Sequence, residues 1–218
     1  MRKSLLAAAL TATACLALAA CQNDTGAKSP SATTPTTTAP SPTAPPAADP
    51  GGGSGTDPSP GTVAQALGEP SRTVGANTVG ILEITPMTVV YVKEGGGRTS
   101  KYGTFAVVTM DEKSLSANPA AETTLAKGGG WHWIAPDGRL VAADAGNAAR
   151  VALGKYGHYG PIQPGAHEVR AKVFDLTPAQ AAGGRISYTD GTDSADRWSL
   201  PAKDTGPQVA DVKAELNH

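Results

Sequence analysis

Hydrophobic residues fall along this chain in three regimes. From Leu5 to Leu18 they form a run broken only by Thr11, Thr13 and Cys15. From Gln22 to about Thr62 large apolar side chains nearly vanish among Thr, Pro, Ser, Ala and Gly. Beyond that they return as short segments whose period of two predicts β-strands. "VGILEI" sets Leu82 and Ile84 on one side and Glu83 on the other, and "MTVVYV" continues after Pro86 in β-branched and aromatic residues. "GTFAVVTM", Gly103 to Met110, is apolar on both faces and reads as a central strand. "HEVRAKVFDL" alternates most regularly, which predicts Val169, Ala171 and Val173 inward and Arg170 and Lys172 outward. "RISYTD" pairs Ile186 with Tyr188, and "DRWSLP" pairs Trp198 with Leu200.

Helix signals are sparse. Thr177-Pro178 reads as an N-cap followed by proline at the first helical position, and Ala179 to Ala182 stops at Gly183-Gly184, which fits one short helical turn. "NPAAETTLAKGGG" has room for another. Six to eight short strands separated by Gly, Pro and Asp turns predict an all-β fold, an antiparallel β-sandwich, with a small OB-type barrel as the alternative.

The first apolar run changes the picture of where this fold resides. Met1-Arg2-Lys3 supplies a positive start, and the run is shorter than the ~20 residues of a membrane span. It closes on Leu18-Ala19-Ala20-Cys21, which resembles the lipobox of bacterial lipoproteins. That resemblance implies a signal peptide over 1–20 that is removed, and Cys21 as the new first residue carrying diacylglyceryl and palmitate-type acyl chains. Two acyl chains anchor a protein stably, one only marginally. The expected location is therefore the cell membrane, lipid-anchored on its extracytoplasmic face.

With Cys15 discarded and Cys21 acylated, neither of the chain's two cysteines is left for a disulfide, a thiolate metal site or a nucleophile. Loss of Arg2 and Lys3 takes the formal charge from −1 to −3, too mild to indicate nucleic acid as a partner. Residues 21–71, with the lipidated cysteine at their head, read as a Thr/Pro/Gly-rich disordered linker, because so polar a composition cannot bury enough surface to offset the entropy of ordering it. At ~3.1 Å per extended residue such a tether reaches about 100 Å from a membrane. Its Thr and Ser residues also suit glycosylation. The remainder, 72–218, has the size of one β-sandwich domain.

Three stretches carry a resemblance. "WIAPDGRLVAAD", "PIQPGAHEVRAKVFDLTP" and "RISYTDGTDSADRWSL" are similar to the immunoprotective extracellular immunoglobulin-like family of Gram-positive lipoproteins. In that family a strand runs into an Asp-Gly turn, a Pro-Gly turn opens a long strand ending in "FD" and a proline, and a hairpin closes the sheet. The corresponding segments here are Trp131 to Leu140, Pro164-Gly165 with the strand to Phe174-Asp175, and Ile186 to Leu200. The likeness spans roughly Val79 to Pro201 and implies an immunoglobulin-like antiparallel β-sandwich, but no shared catalytic set. The Gly-, Ala- and His-containing insertion from Ala143 to Tyr159 departs from the pattern.

Two of the three tryptophans flank a histidine in Trp131-His132-Trp133, just before the turn-forming Pro136-Asp137-Gly138. Period two puts both tryptophans on one face and His132 with Ile134 on the other. This is either a core strand or an exposed Trp-x-Trp platform for a sugar, peptide or protein. Gly154 to Gly160, with Tyr156, His158 and Tyr159, has the composition of an adaptable binding loop and equally of a merely mobile one.

The remaining chemistry is thin. His132, His158 and His167 are scattered, and His167-Glu168-Val169-Arg170-Ala171 has alanine where a metalloprotease motif needs its second histidine, so no metal site is expected. "DGTDSAD", Asp190 to Asp196, lacks calcium-loop spacing and reads as a solvated hairpin turn. No nucleophile elbow or phosphate loop occurs in strand-to-helix context, so neither a catalytic residue nor a cofactor is expected. The sequence thus points to a non-enzymatic binding or protein-interaction module with an envelope protein or glycan as partner. An accessory or sensor subunit of an envelope enzyme or transporter is the alternative, and a metal-dependent hydrolase a more distant one.

Overall fold

In the computed structural model, residues 63–218 are described. The signal peptide, Cys21 and most of the expected linker lie outside them. Among the described residues no helix is long and apolar enough to cross a membrane.

The chain enters through β1 (Gln65–Ala66) and β2 (Ser71–Val74), then runs along β3 (Ile81–Val92), a small hairpin of β4 (Glu94–Gly95) and β5 (Arg98–Thr99), and back along β6 (Thr104–Ser114). There follow β7 (Gly130–Ile134), β8 (Leu140–Ala142), β9 (His167–Leu176), α1 (Pro178–Ala181), β10 (Arg185–Thr189), β11 (Ala195–Ser199) and α2 (Val209–Leu216). Two main sheets form, ordered β2-β3-β6-β9 and β1-β11-β10-β7-β8. All pairings are antiparallel except β1 with β11.

This is an immunoglobulin-like strand order. β3, β6 and β9 stand where strands A, B and E of such a sandwich stand, and β7, β8, β10 and β11 where C, C′, F and G stand. β2 adds a strand outside β3, and β1 joins the edge of β11. The folded unit therefore starts before Arg72, the boundary expected from composition. Gln65 and Ala66 pair with Trp198 and Ser199, and the Glu69 carbonyl accepts from Trp198 Nε1 at 2.9 Å.

Each long strand follows from its sequence. "VGILEI" and "MTVVYV" are one strand, β3, with a register shift between Pro86 and Thr88. Proline donates no ladder hydrogen bond and sits at such irregularities. The shift also restores phase: Leu82 and Ile84 before it and Val89 and Tyr91 after it all turn toward the other sheet. The hairpin from β7 to β8 closes over Pro136-Asp137-Gly138, with Gly138 at φ 82° and the Ala135 amide donating to Arg139 O at 2.9 Å. In α1, Thr177 and Gln180 form a reciprocal capping box and Pro178 takes the first helical position.

The interior is aromatic. Trp131, Trp133, Ile186, Tyr188 and Trp198 from one sheet pack on Leu82, Ile84, Ala106, Val108, Met110, Phe174 and Leu176 from the other. A second apolar cluster lies on the outer face of the β3-β6-β9 sheet. There Val90, Phe105, Val107, Ala171 and Val173 are covered by Val212 and Leu216 of α2 and by Val151, Leu153 and Tyr156 of the 143–159 insertion. β6 sits between β3 and β9 with both faces covered, as its uninterrupted apolar run predicts.

One orientation is reversed. Val169, Ala171 and Val173 face the outer cluster, and Arg170 and Lys172 share the interior-facing side of β9 with Phe174 and Leu176. Alternation separates two faces of a strand but does not say which lies between the sheets. Here the outer face is covered by α2 and the insertion, so the small apolar residues pack there. The cations point into the end of the sandwich, where carboxylates meet them.

Candidate functional site

The end of the sandwich reached by Arg170 and Lys172 opens into a cleft of about 550 Å³. Its floor comes from β7 and β9, one wall from residues 121–130, and the opposite lip from Asp144 and Tyr159 of the insertion. β6 and β9 pair with Met110 opposite Arg170 and Glu112 opposite Glu168, so Glu112 points inward beside Arg170. Glu122 follows Ala120, whose backbone is clamped both ways to Ile162.

The side chains of Glu112, Glu122, Arg170 and Lys172 converge beneath this cleft. Glu122 accepts from Trp131 Nε1 through one oxygen and from Lys172 Nζ at 2.5 Å through the other. Arg170, almost fully buried, donates to Glu168 Oε2 at 2.7 Å through Nη2 and lies 3.7 Å from Glu112 Oε2 through Nη1. Glu112 itself is wholly buried, and neither of its oxygens receives a hydrogen bond from a donor.

The charge states follow from the surroundings. Burial pushes the Glu112 carboxyl well above the ordinary carboxylate value, and the charge of Glu122 pushes it further, against the opposing effect of Lys172 and Arg170. Burial acts on Glu122 in the same direction. The Lys172 charge and the hydrogen bonds from Glu112, Lys172 and Trp131 nevertheless hold it below the ordinary value. Burial disfavours the Lys172 cation, yet Glu122 and Glu112 raise it. Glu112 is thus biased toward its neutral form and Glu122 toward its ionised form, which Lys172 neutralises. Burying a neutral carboxyl costs far less than burying a bare carboxylate.

The residues singled out from sequence separate. Trp131 and Trp133 are 2% and 0% exposed, so they form no surface platform; they are core, with Trp133 Nε1 bonded to Gln180 O at 2.9 Å. Trp131 also lines the cleft floor. His132, half-buried, faces away from both tryptophans. In the insertion, Tyr159 is 76% exposed and stands at the cleft lip. Tyr156 is buried under the outer sheet face and, with His158, borders a different groove beside α2. Among the described residues no group of three or more His, Cys, Asp or Glu is placed to hold a metal ion.

The segment "DGTDSAD" is the solvated hairpin turn expected, with Thr192, Asp193 and Ser194 exposed, but its first residue, Asp190, is not. It is buried, and its two oxygens accept from Thr192 N and Oγ1, Ser194 N, Thr73 Oγ1 and Val74 N at 2.7–3.1 Å. Burial raises this carboxyl, but the hydrogen bonds outweigh burial and hold it below the ordinary value. Asp175, ending the "FD" motif, does the same for other loops, accepting from Ser100 Oγ and from the amides of Lys101, Tyr102 and Asn147. Both carboxylates are filled by the chain's own donors.

Sequence reasoning missed Glu112, Glu122, Arg170 and Lys172 as a cluster. A signal was present for three of them: Glu112 is in phase with Ala106, Val108 and Met110 on β6, and Arg170 and Lys172 with Phe174 and Leu176 on β9. Glu122 lies in an irregular segment and has no such signal.

The chain matches no family model and no curated protein. Its structure is similar to that of MPT63, a secreted protein of Mycobacterium tuberculosis, at 14% identity and TM-score 0.46 over 65% of this chain and 100% of that one. A conserved hypothetical protein of Bacillus anthracis aligns at 15% identity and TM-score 0.43 over 61% of this chain and 94% of that one. A candidate lipoprotein of Bacillus subtilis, ycdA, aligns at 10% identity and TM-score 0.42 over 66% of this chain and 41% of that one.

Proposed function

We propose that this chain is a lipoprotein anchored through Cys21 on the extracytoplasmic face of a cell membrane, where its sandwich acts as a non-enzymatic binding or protein-interaction module. In this reading it is a member of the immunoprotective extracellular immunoglobulin-like family that its strand and turn motifs resemble. The observation that carries the binding role is the cleft at the end of the sandwich: an exposed tyrosine over a floor of paired charges, built by a rigid core and opened by loops. The motif Leu18-Ala19-Ala20-Cys21 and the Thr/Pro-rich stretch after it support presentation away from a membrane.

The test has two arms in intact cells. Cys21→Ala should move the protein out of the membrane fraction or leave an uncleaved precursor; a correctly cleaved variant that stays on the membrane would refute the anchor. A photo-crosslinker at Tyr159 should trap envelope material that the same group at Asp137 does not, since Asp137 lies in the turn beyond the far end of β7. Equal capture from both positions would refute a binding role for the cleft.

A further inference from the structure

We propose that the cleft binds a neutral, polyhydroxylated ligand, a sugar ring of an envelope glycan, stacked on Tyr159 and hydrogen-bonded to the Glu122–Lys172 pair. This rests on the reading of the chain as a binding module and names the class of ligand.

The charge arrangement carries the argument. Lys172 is neutralised by Glu122 at 2.5 Å and Arg170 by Glu168 at 2.7 Å. Lys127 and Asp144 bring one charge of each sign to the walls. An anion approaching Lys172 meets the Glu122 carboxylate already bonded to it, and a cation approaching Glu122 meets Lys172. An ionic ligand would have to break a partly buried pair and leave one member bare, which is strongly unfavourable. A neutral hydroxyl group meets no such conflict. It donates to a spare lone pair of Glu122 while accepting from one of the two ammonium protons of Lys172 that Glu122 does not use. One ring with adjacent hydroxyls satisfies both.

One further feature points the same way. The Tyr159 ring, 76% exposed at the lip, has an apolar face unused by the fold, against which the C–H face of a sugar can pack. The cleft volume of about 550 Å³ lies within the ~300–1,000 Å³ of small-ligand sites.

Titration of the full-length lipidated chain in detergent micelles decides the matter, followed through the ¹⁵N–¹H signal of the Trp131 indole, which reports on Glu122 directly. The probes are neutral glucosyl, galactosyl and N-acetylglucosaminyl trisaccharides, with inorganic phosphate and spermidine as the ionic comparators. At least one trisaccharide should shift the signal saturably, and Tyr159→Ala should weaken that binding by about fivefold or more at an unchanged melting temperature, as loss of an aromatic contact does. The proposal is overturned if phosphate or spermidine saturates the signal and no sugar does, if no probe shifts it, or if Tyr159→Ala binds sugar as well as the parent. Position-specific crosslinking from Tyr159 alongside a flat sugar titration would reject the ligand class and leave the module reading standing; failure of both would reject the module reading as well.

Discussion

Trp133→Ala tests whether the sandwich is held by its aromatic interior. The indole is fully buried, lies 5.7 Å from the Phe174 ring and 6.3 Å, edge-on, from Tyr91, and donates to Gln180 O at 2.9 Å. Removing a buried large aromatic costs about 3–5 kcal/mol. The hydrogen bond adds about 1 kcal/mol, because the Gln180 carbonyl at α1 loses its donor. Close approach limits relief: Gly184, whose missing side chain makes room for the indole ring, belongs to the loop between α1 and β10, so the cavity cannot close without moving that loop. A total of about 4–6 kcal/mol is a large fraction of the ~5–15 kcal/mol typical of a domain, and at ~2–4 °C per kcal/mol it lowers the melting temperature by about 8–24 °C. Urea unfolding followed by circular dichroism measures it, with Trp198 and Trp131 left as fluorescent reporters. A loss below about 1 kcal/mol in a folded variant would mean that this indole does not organise the core.

Two further outcomes concern protons. Glu112 holds its proton in the folded state above the pH at which the unfolded chain releases it, so this group's contribution falls as pH rises from the ordinary carboxylate range to its raised folded value. Glu112→Gln, which cannot ionise, should match the parent in acid and exceed it near neutral pH, by about 1.4 kcal/mol for each pH unit of that window; parallel stability profiles against pH would refute the assignment. Asp190 has the opposite sign: its stabilisation is present above the unfolded carboxylate pKa and is lost as pH falls through its lowered folded value. Asp190→Asn should cost on the order of 3 kcal/mol at neutral pH and flatten the acid limb of the melting profile, because an amide turns a donor toward N–H groups that a carboxylate accepts; an unchanged acid limb would refute it.

Much of the fold was legible because its signals are local. Alternation located β3, β6, β9, β10 and β11, proline and glycine located the β7–β8 turn, and Thr177-Pro178 located the start of α1. α2 was missed. Its buried residues, Val212 and Leu216, are only two in eight positions, and the surface they cover is made by Val90, Val107 and Val173, far away in sequence. Strand β1 was missed for a related reason: two residues inside a polar region show no period, and only the ladder with Trp198 and Ser199 orders them. The burial of Asp190 at the head of its exposed turn was not legible, because its partners, Thr73 and Val74, lie on β2.

The candidate site was the least legible part, and β9 shows why. Its charged residues resemble the polar face of a half-exposed strand, and that inference is sound when the opposite sheet face meets solvent. A second apolar cluster on the outer face removes the premise. Once α2 and the insertion cover Ala171 and Val173, the strand has two buried faces, and its cations must be neutralised or lie at the end of the sandwich where water enters. Both conditions are met: Lys172 and Arg170 sit toward that end, and each touches a carboxylate. In antibody-type sandwiches a disulfide ties strand B to strand F behind a tryptophan of strand C. Here the counterparts β6 and β10 contain no cysteine, and the space between the sheets is filled by Trp131 against Tyr188 and Trp198 at 5.0 and 5.8 Å. The indole N–H of Trp131 then reaches Glu122, so the group that closes the core also orients the carboxylate in the cleft wall. Stability and site are built from one side chain, which is why a tryptophan in the core and a residue lining the cleft are not competing descriptions of position 131.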